Sequence, residues 1–330
     1  TLEQRYRYAA DAFRASSGYD RAINEYLAGI EHLTLRYGEN PHQKAEYVGA
    51  AGSLPQQLHG KEISYNNMLD IEAAVELISD FQEKPTVAVI KHNNACGCAV
   101  RETLLQAWTD ALAGDPVSAF GGIIITNRKV DAVTAAEIGK IFFEVILAPA
   151  YDDDALEILK QKKNRIILVS GNVRPTEKKF RSMLQGRLEQ DRYAVAESPE
   201  DLTPTTTLIP TAEQVEDLLF ANRIVKHSKS NAIVLAKGGM LLASGIGQTS
   251  RVDALKQAIA KAGSFGFDLN GAVMASDAFF PFPDCVQIAH EAGIDAVIHP
   301  GGSIRDQESI DYCNANNVAM VITGKRHFKH

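Results

Sequence analysis

The sequence predicts an α/β protein assembled from two copies of one unit, each a set of strands covered by helices. Three observations predict it. Short β-rich apolar runs alternate with helical ones from residue 86 to residue 324. The second half repeats the rhythm of the first: GGIIITN (121–127) lies over GAVMASD (271–277), and FEVILAPAY (143–151) over IDAVIHPGG (294–302). Between the halves, QDRYAVAESPEDLTPTTTLIPT (190–211) is polar, threonine-rich and broken by proline, as a connector is.

In chain order, residues 1–30 read as helix. Tyr8, Ala9, Ala12 and Phe13, then Tyr19, Ile23, Tyr26 and Leu27, recur at spacings of three and four, with a break at Ser16, Ser17 and Gly18. LRYGENPHQ (35–43) holds glycine, asparagine and proline and is a loop. TVAVIKH (86–92) is a buried strand, TLLQAWTDALAG (103–114) a helix closed by a C-cap glycine, and SAFGGIIITN (118–127) a strand. A helix over 132–142, a strand over 143–149 ending at Pro149, a helix over 155–163 and a strand over 164–171 complete the first half. The second half runs helix 212–227, two strands within 230–247 around Gly238 and Gly239, helix 252–263, strand 271–279, helix 285–293, strand and turn 295–303, helix 309–317 and a last strand over 318–324.

Composition narrows the function. The chain has 330 residues and is 45% hydrophobic, enough to bury a substantial core. A formal charge of -7 excludes a basic nucleic-acid surface, although a local basic pocket for one small anion is compatible with it. Cys96, Cys98, Cys285 and Cys313 are too few and too scattered for a disulfide framework, which points to a reduced, cytoplasmic setting. No apolar run approaches 18 residues, so no membrane span is expected, and the charged TLEQRYRYAADAF start lacks a signal-peptide core.

VAVIKHNNACGC (87–98) concentrates reactive groups where a buried strand ends. Lys91 and His92 fit a general acid/base pair at a strand tip, since histidine titrates near neutrality. The plainer alternative is a solvated lysine beside a hydrogen-bonded histidine. Cys96, Cys98 and His92 raise zinc, but one C-x-C with one histidine does not match the spacings of structural or deaminase zinc sites. In MASDAFFPFPD (274–284), Phe279, Phe280 and Phe282 form either a buried aromatic turn or a wall for a flat heterocycle, with Asp284 to meet ring donors. Gly245 to Arg251 opens a helix, where free amides suit an anion or a polar ring. GKRHFKH (324–330) reads by itself as a solvated end, with Arg326 as an alternative phosphate clamp.

Nine blocks taken together resemble one family. LRYGENPHQ, GKEISYNN (60–67), IKHNNACG (90–97), DPVSAFGG (115–122), SNAIV (230–234), GQTSRVDA (247–254), MASDAFFPF, PGGSIRDQ (300–307) and RHFKH (326–330) resemble, in order over residues 33–330, the 5-aminoimidazole-4-carboxamide ribonucleotide (AICAR) formyltransferase domain of bifunctional purine-biosynthesis enzymes. The resemblance implies two cytidine-deaminase-like α/β/α units without zinc, over 31–200 and 201–330. It also implies homodimers with active sites at the subunit interface. Residues 1–30 resemble only the closing helices of the family's IMP cyclohydrolase domain. Ring closure is therefore not expected of this chain alone, and an IMP cyclohydrolase, either elsewhere in a longer product or as a separate protein, would complete the sequence of reactions.

The resemblance also implies roles. Lys91 and His92 fall on the catalytic pair, and Asn231 on a group that meets the substrate carboxamide or a developing oxyanion. Arg36, Tyr37, Gly121, Glu144, Lys163, Phe279, Arg326 and His330 fall on the AICAR side, with Arg36, Lys163 and Arg326 around the 5′-phosphate. Ser250, Arg251, Phe280, Phe282 and Asp284 fall on the folate side. Pro283 replaces a residue that is often basic in the family. The implied cosubstrate is 10-formyltetrahydrofolate, with no tightly bound cofactor and with room for a monovalent cation (K+) beside residues 230–234. The competing functions are a nucleotide deaminase of the same fold and a non-catalytic AICAR-binding protein.

Overall fold

The structure, a computed structural model, describes residues 1–171 and 173–330. It opens with helix α1 (Leu2–Leu27), followed by a hairpin of β1 (Ile30–Leu35) and β2 (Ala45–Ala50). The first half continues through β3 (Gln56–His59), α2 (Tyr65–Ile78), β4 (Thr86–Lys91), β5 (Asn94–Val100), α3 (Leu104–Gly114), the short α4 (Pro116–Ala119), β6 (Ile123–Thr126), α5 (Ala132–Ile138), β7 (Val145–Ala148), α6 (Asp153–Lys160) and β8 (Ile166–Val169). A second hairpin, β9 (Lys178–Met183) and β10 (Gly186–Asp191), leads to the brief β11 (Thr203–Pro204). The second half is α7 (Ala212–Lys226), β12 (Ile233–Lys237), β13 (Met240–Gly245), α8 (Arg251–Ser264), β14 (Ala272–Ser276), α9 (Asp284–Glu291), β15 (Ile294–His299), α10 (Asp306–Ala315) and β16 (Ala319–Ile322).

Twelve strands form one mixed sheet in the order β11-β16-β15-β14-β12-β13-β5-β4-β6-β7-β8-β3. Read inward from either edge, the pairing is the same: one antiparallel edge strand, two parallel neighbours, then two antiparallel steps. The halves meet where β13 pairs antiparallel with β5, Met240 opposite Ala99. Strand alternation divides the core into two layers. Val87, Val89, Ile124 and Ile146 face α3, α5 and α6, with α8 and α9 continuing that layer. Ala88, Ile90, Ile123, Ile125 and Leu147 face α2, with α7 continuing the opposite layer. Most parallel strands are buried on both faces, which is why they read as unbroken apolar runs.

Several local expectations change. α1 runs unbroken through Ser16, Ser17 and Gly18. Ser16 Oγ donates to Phe13 O at 3.3 Å, so the hydroxyl is satisfied within the helix. Ser64 caps α2, with Asn67 closing a reciprocal box. HNNACGC is a tight turn and a second strand paired with β4. Gly114 is the last residue of α3 rather than a left-handed cap, and a Cβ on it would meet Leu241 O at 2.9 Å. The bare α-carbon thus admits β13 against the helix end. Among the described residues, no helix is long and apolar enough to cross a membrane.

Candidate functional site

The register puts most of the sequence-derived candidates at one rim of the sheet. β4 ends there at Lys91, β13 at Gly245, β14 at Ser276 and β15 at His299, while β12, β6, β7 and β8 begin there. The second half therefore offers the carboxyl ends of its parallel strands, and the first half the amino ends of its own. Carboxyl ends of parallel strands, beyond which open α/β sheets place ligands, thus make up only the second half's share of this rim.

Lys91 and His92 sit at the centre of it. Val89, Ile90 and the alternating β5 residues anchor the hairpin in the core, so its tip is held by buried strands. His92 (φ 51°) and Asn93 (φ 64°) are both left-handed, as a two-residue hairpin of the mirror-image type requires. Neither is glycine, and such backbone costs about 1–3 kcal/mol unless the surroundings hold it. Asp70 on α2 does so: its Oδ1 accepts from Asn93 N at 2.6 Å. Burial raises the Asp70 carboxyl above its ordinary range, with the Asn93 amide and the His92 charge pulling against that rise.

Lys91 Nζ donates to Phe120 O at 2.7 Å, which brings it beside Gly121. Glu144, at the start of β7, pairs with Lys61 at 2.5 Å, and its backbone N–H donates to Gly122 O. Lys91, His92, Asn94, Cys96, Gln257 and Lys261 line a cavity of about 290 Å³. Lys261 is paired with the buried Asp115 at 2.6 Å, which leaves Lys91 as the lysine of the recess without a carboxylate partner among the described residues. Cys96 is no nucleophile there, because burial pushes its thiol up to about 12.

Asn231 approaches the same region from the second half. Lys229 N donates to Asn94 Oδ1 at 3.2 Å, which ties the segment before Asn231 to the β4–β5 turn. Asn231 Nδ2 donates to the carbonyls of Gln248 and Thr249 at 3.0 and 3.2 Å. Gln248 in turn bonds Ile246 O and Gln257 on the cavity wall. Asn231 Oδ1 accepts from Arg251 at 2.8 Å. Arg251 is buried, pairs with Asp277 and donates to Ser276 Oγ at 3.0 Å. Ser250 caps α8 through Asp253 N. Arg251 is thus committed to protein partners, and Ser250 stands at the helix opening.

The aromatic loop divides its rings. Phe280 is fully buried against His299, with centroids 4.7 Å apart. Phe282 is half exposed under Arg305, and Phe279 lies partly open. Asp284 opens α9 and accepts from Cys285 N. The carboxyl end is not frayed: His327 N donates to Asp277 O, and Lys329 exchanges two hydrogen bonds with Ser230. His330 lines a larger cleft of about 1850 Å³ with Tyr65, Lys226, His227 and Lys329. Arg36 donates to Tyr37 Oη at 2.9 Å, Arg326 lies over Phe328, and Lys163 is exposed. Lys163 precedes β8 and Arg326 follows β16, near opposite ends of the strand order, and Arg36 follows β1 of a separate two-stranded sheet.

Sequence reasoning missed a buried polar cluster beside this tail. Asp80 bonds Lys226 at 2.9 Å and His227 at 2.7 Å. Burial alone would raise Asp80; His227 and Lys226 more than offset it and leave the carboxyl below its usual range. His327 contacts Asn222 and Glu197, and burial lowers it to about 4. Lys329 reaches Glu76 and His227 O, and burial lowers it to about 8. The partners are separated by up to 253 positions in the chain, a distance no local pattern can signal.

Comparison with known proteins adds three findings. The family described as AICARFT/IMPCHase bienzyme matches residues 1–261. The chain is 62% identical over 340 residues to the bifunctional purine biosynthesis protein PurH of Bacteroides thetaiotaomicron, covering 100% of this chain and 67% of that protein. It is 47% identical to the PurH protein of Ruminiclostridium cellulolyticum and 46% to that of Aquifex aeolicus, covering 100% of this chain and 68% and 69% of those proteins.

Proposed function

The chain belongs to the AICARFT/IMPCHase bienzyme family, and from that premise we propose that it is an AICAR formyltransferase of purine biosynthesis. It transfers the formyl group of 10-formyltetrahydrofolate to the 5-amino group of AICAR, giving FAICAR and tetrahydrofolate. The observation that carries this reading is the convergence of Lys91 and His92 on one recess that the Asn231 segment also borders. Ring closure to IMP is not expected of these 330 residues.

The chemistry suits the groups. The 5-amino group is conjugated to the imidazole and its carboxamide, so it is a weak nucleophile that must lose a proton as it attacks. His92 takes that proton, a role worth about 10²–10⁴-fold. Lys91 stabilises the oxyanion of the tetrahedral intermediate, a donor worth roughly 10²–10³-fold; Asn231, whose amide hydrogens both go to the carbonyls of Gln248 and Thr249, serves by holding that loop beside the recess. Collapse needs a proton on N10 of the departing folate, which Lys91 or the protonated His92 supplies. Gly121, Glu144, Phe279 and His330, with Arg36, Tyr37, Lys163 and Arg326 for the phosphate, hold AICAR. Ser250, Arg251, Phe282 and Asp284 serve the folate side. For Phe280 and Arg251 that service is indirect, since both are buried against protein partners.

We assign residues 1–30 to N-terminal helical structure and residues 31–200 and 201–330 to two deaminase-like units. The mirrored strand order supports this division. A homodimer with sites at its interface would gather the phosphate cations that one chain leaves apart. A monovalent cation beside residues 230–234 fits one feature: Asp277 Oδ2 is buried without a hydrogen-bond partner. The free cysteines accord with a reduced, cytoplasmic setting. The deciding experiment incubates the chain with AICAR and 10-formyltetrahydrofolate and follows FAICAR and IMP. FAICAR without IMP is expected; no FAICAR would overturn the assignment.

A further inference from the structure

The two halves of the sheet carry matching hairpins. β4 ends in Lys91 and turns through His92 and Asn93; β12 ends in Lys237 and turns through Gly238 and Gly239. All four turn residues are left-handed, with φ of 51° and 64° in the first and 57° and 67° in the second. Lys91 Nζ donates to Phe120 O at 2.7 Å, and Lys237 Nζ to Asn270 O at 2.5 Å. Each acceptor precedes a glycine with φ of 74°, Gly121 or Gly271. An aspartate at the sixth position of the preceding helix holds each turn. Asp217 on α7 accepts from Gly238 N and Gly239 N at 2.7 and 2.6 Å. Asp70 on α2 accepts from Asn93 N at 2.6 Å. Asn93's own amide nitrogen, in the orientation that pairs donors with acceptors, adds contacts of 3.0 Å to Asp70 and to Leu69 O.

The comparison separates scaffold from chemistry. The aspartate, the lysine and the left-handed pair occur in both halves. The imidazole occurs in one. In the second turn two glycines take the left-handed conformation without steric cost, so Asp217 supports a backbone that is already permissive. In the first turn that cost falls on a histidine and an asparagine, so the carboxylate decides whether the turn keeps its shape. We propose that Asp70 is the positioning residue of the active site, fixing the His92–Asn93 turn so that the imidazole points into the cavity shared with Lys91. The inference rests on the formyl-transfer reading and concerns a residue that does not itself touch substrate.

The test uses the full chain and its internal control. Asp70→Ala should lower kcat about 10- to 100-fold, as misplacement of a reacting group does. Its KM for AICAR should stay within about threefold, because uniform binding is untouched. Asp70→Asn, whose Oδ1 still accepts an N–H, should recover most of the turnover. Asp217→Ala removes the equivalent bonds from the other hairpin and should keep kcat within about twofold, whatever it costs in thermal stability. Asp70→Glu moves the carboxylate by one methylene and should lose about tenfold in kcat, which provides a reading if the alanine variant does not fold. A kcat for the folded Asp70 variants near wild type, or an equal fall in Asp217→Ala, would overturn the proposal.

A second readout does not depend on turnover. The His92 ring Cε1–H resonance should be single and sharp in wild type and Asp217→Ala, and shifted or broadened in Asp70→Ala and Asp70→Glu. An unchanged resonance overturns the positioning role even if the wild-type chain transfers no formyl group. That last result would instead remove the functional reading on which the inference rests.

Discussion

At the scale of single residues, the strand tip carries two kinds of duty that substitution can separate. His92 is exposed and is the proposed base, whereas Lys91 is half-buried and also ties β4 to the backbone before Gly121. His92→Ala should therefore fold normally, bind AICAR with nearly unchanged Kd and lose about 10²–10⁴-fold in kcat. Equilibrium binding and formyl-transfer rates on the same preparation check this, and a kcat near wild type would end its role as base. Lys91→Ala should lower both turnover and thermal midpoint. Gly97 shows the reverse case, a residue with no chemistry and no tolerance. A Cβ there would fall 1.9 Å from Ala111 O, so Gly97→Ala must displace α3 or β5. It should cost more than about 2 kcal/mol in denaturant unfolding, as overpacking against backbone does. Lys91 and His92 were legible because polar residues interrupt an apolar run there, whereas Asn231 was named only through the family resemblance. Asp70 was not, since its partner lies 23 positions away and nothing in a helix marks which carboxylate reaches across to a turn. Phe279, Phe280 and Phe282 look alike in sequence; burial distinguishes them only after the loop is folded.

At the scale of elements, the rim is held by loops and ends that are themselves packed. His299 closes β15 under Phe280, and its Nδ1 accepts from Gly301 N at 3.1 Å, which keeps that nitrogen unprotonated. Burial lowers His299 to about 4, and His327 in the tail likewise to about 4. Unfolded histidine binds its proton near pH 6.5. Between pH 6.5 and 4 the unfolded chain therefore holds more protons than the folded one, and folding stability falls as pH falls through that window. Thermal midpoints measured across it should drop steeply, and His327→Asn should flatten the slope. A midpoint independent of pH over this range would show that these rings are not buried neutral. The tail, read from composition as a solvated end, is instead an edge segment fastened by His327 and Lys329. The helices and apolar strands were legible from periodicity. The β1–β2 and β9–β10 hairpins were not, because their strands are largely exposed and lack a clean apolar alternation.

At the scale of the whole molecule, one continuous sheet joins the two halves, and the three cations proposed for the phosphate stand on separate segments. Arg36 belongs to the loop after β1, Lys163 precedes β8 and Arg326 follows β16. α1 has no buried residue and exposes Tyr6, Phe13, Tyr19 and Tyr26, more aromatic surface than an isolated helix ordinarily shows. Both features accord with the proposed dimer. If each site takes residues from two chains, His92→Ala and Arg326→Ala are complementary. Co-refolding equal amounts should then restore about a quarter of wild-type turnover at AICAR concentrations too low to fill the Arg326→Ala site, because half of the two-fold dimers carry one intact site. No recovery would mean that each chain builds its own site. Arg326→Ala alone should weaken AICAR binding with little change in kcat, read by titration.

The amino-acid order by itself determined the α/β class, the apolar runs of the buried strands and the strand tip that carries Lys91 and His92. Those features depend on periodicity, composition and neighbours within a few residues. The tertiary structure alone decided that the first half meets the rim with amino ends, that Asp70 holds the His92 turn, and that Phe280 is core. It also decided that the tail is pinned through residues as remote as Glu76. Each of these depends on contacts between segments distant in the chain, whose geometry is set by sheet register rather than by local preference.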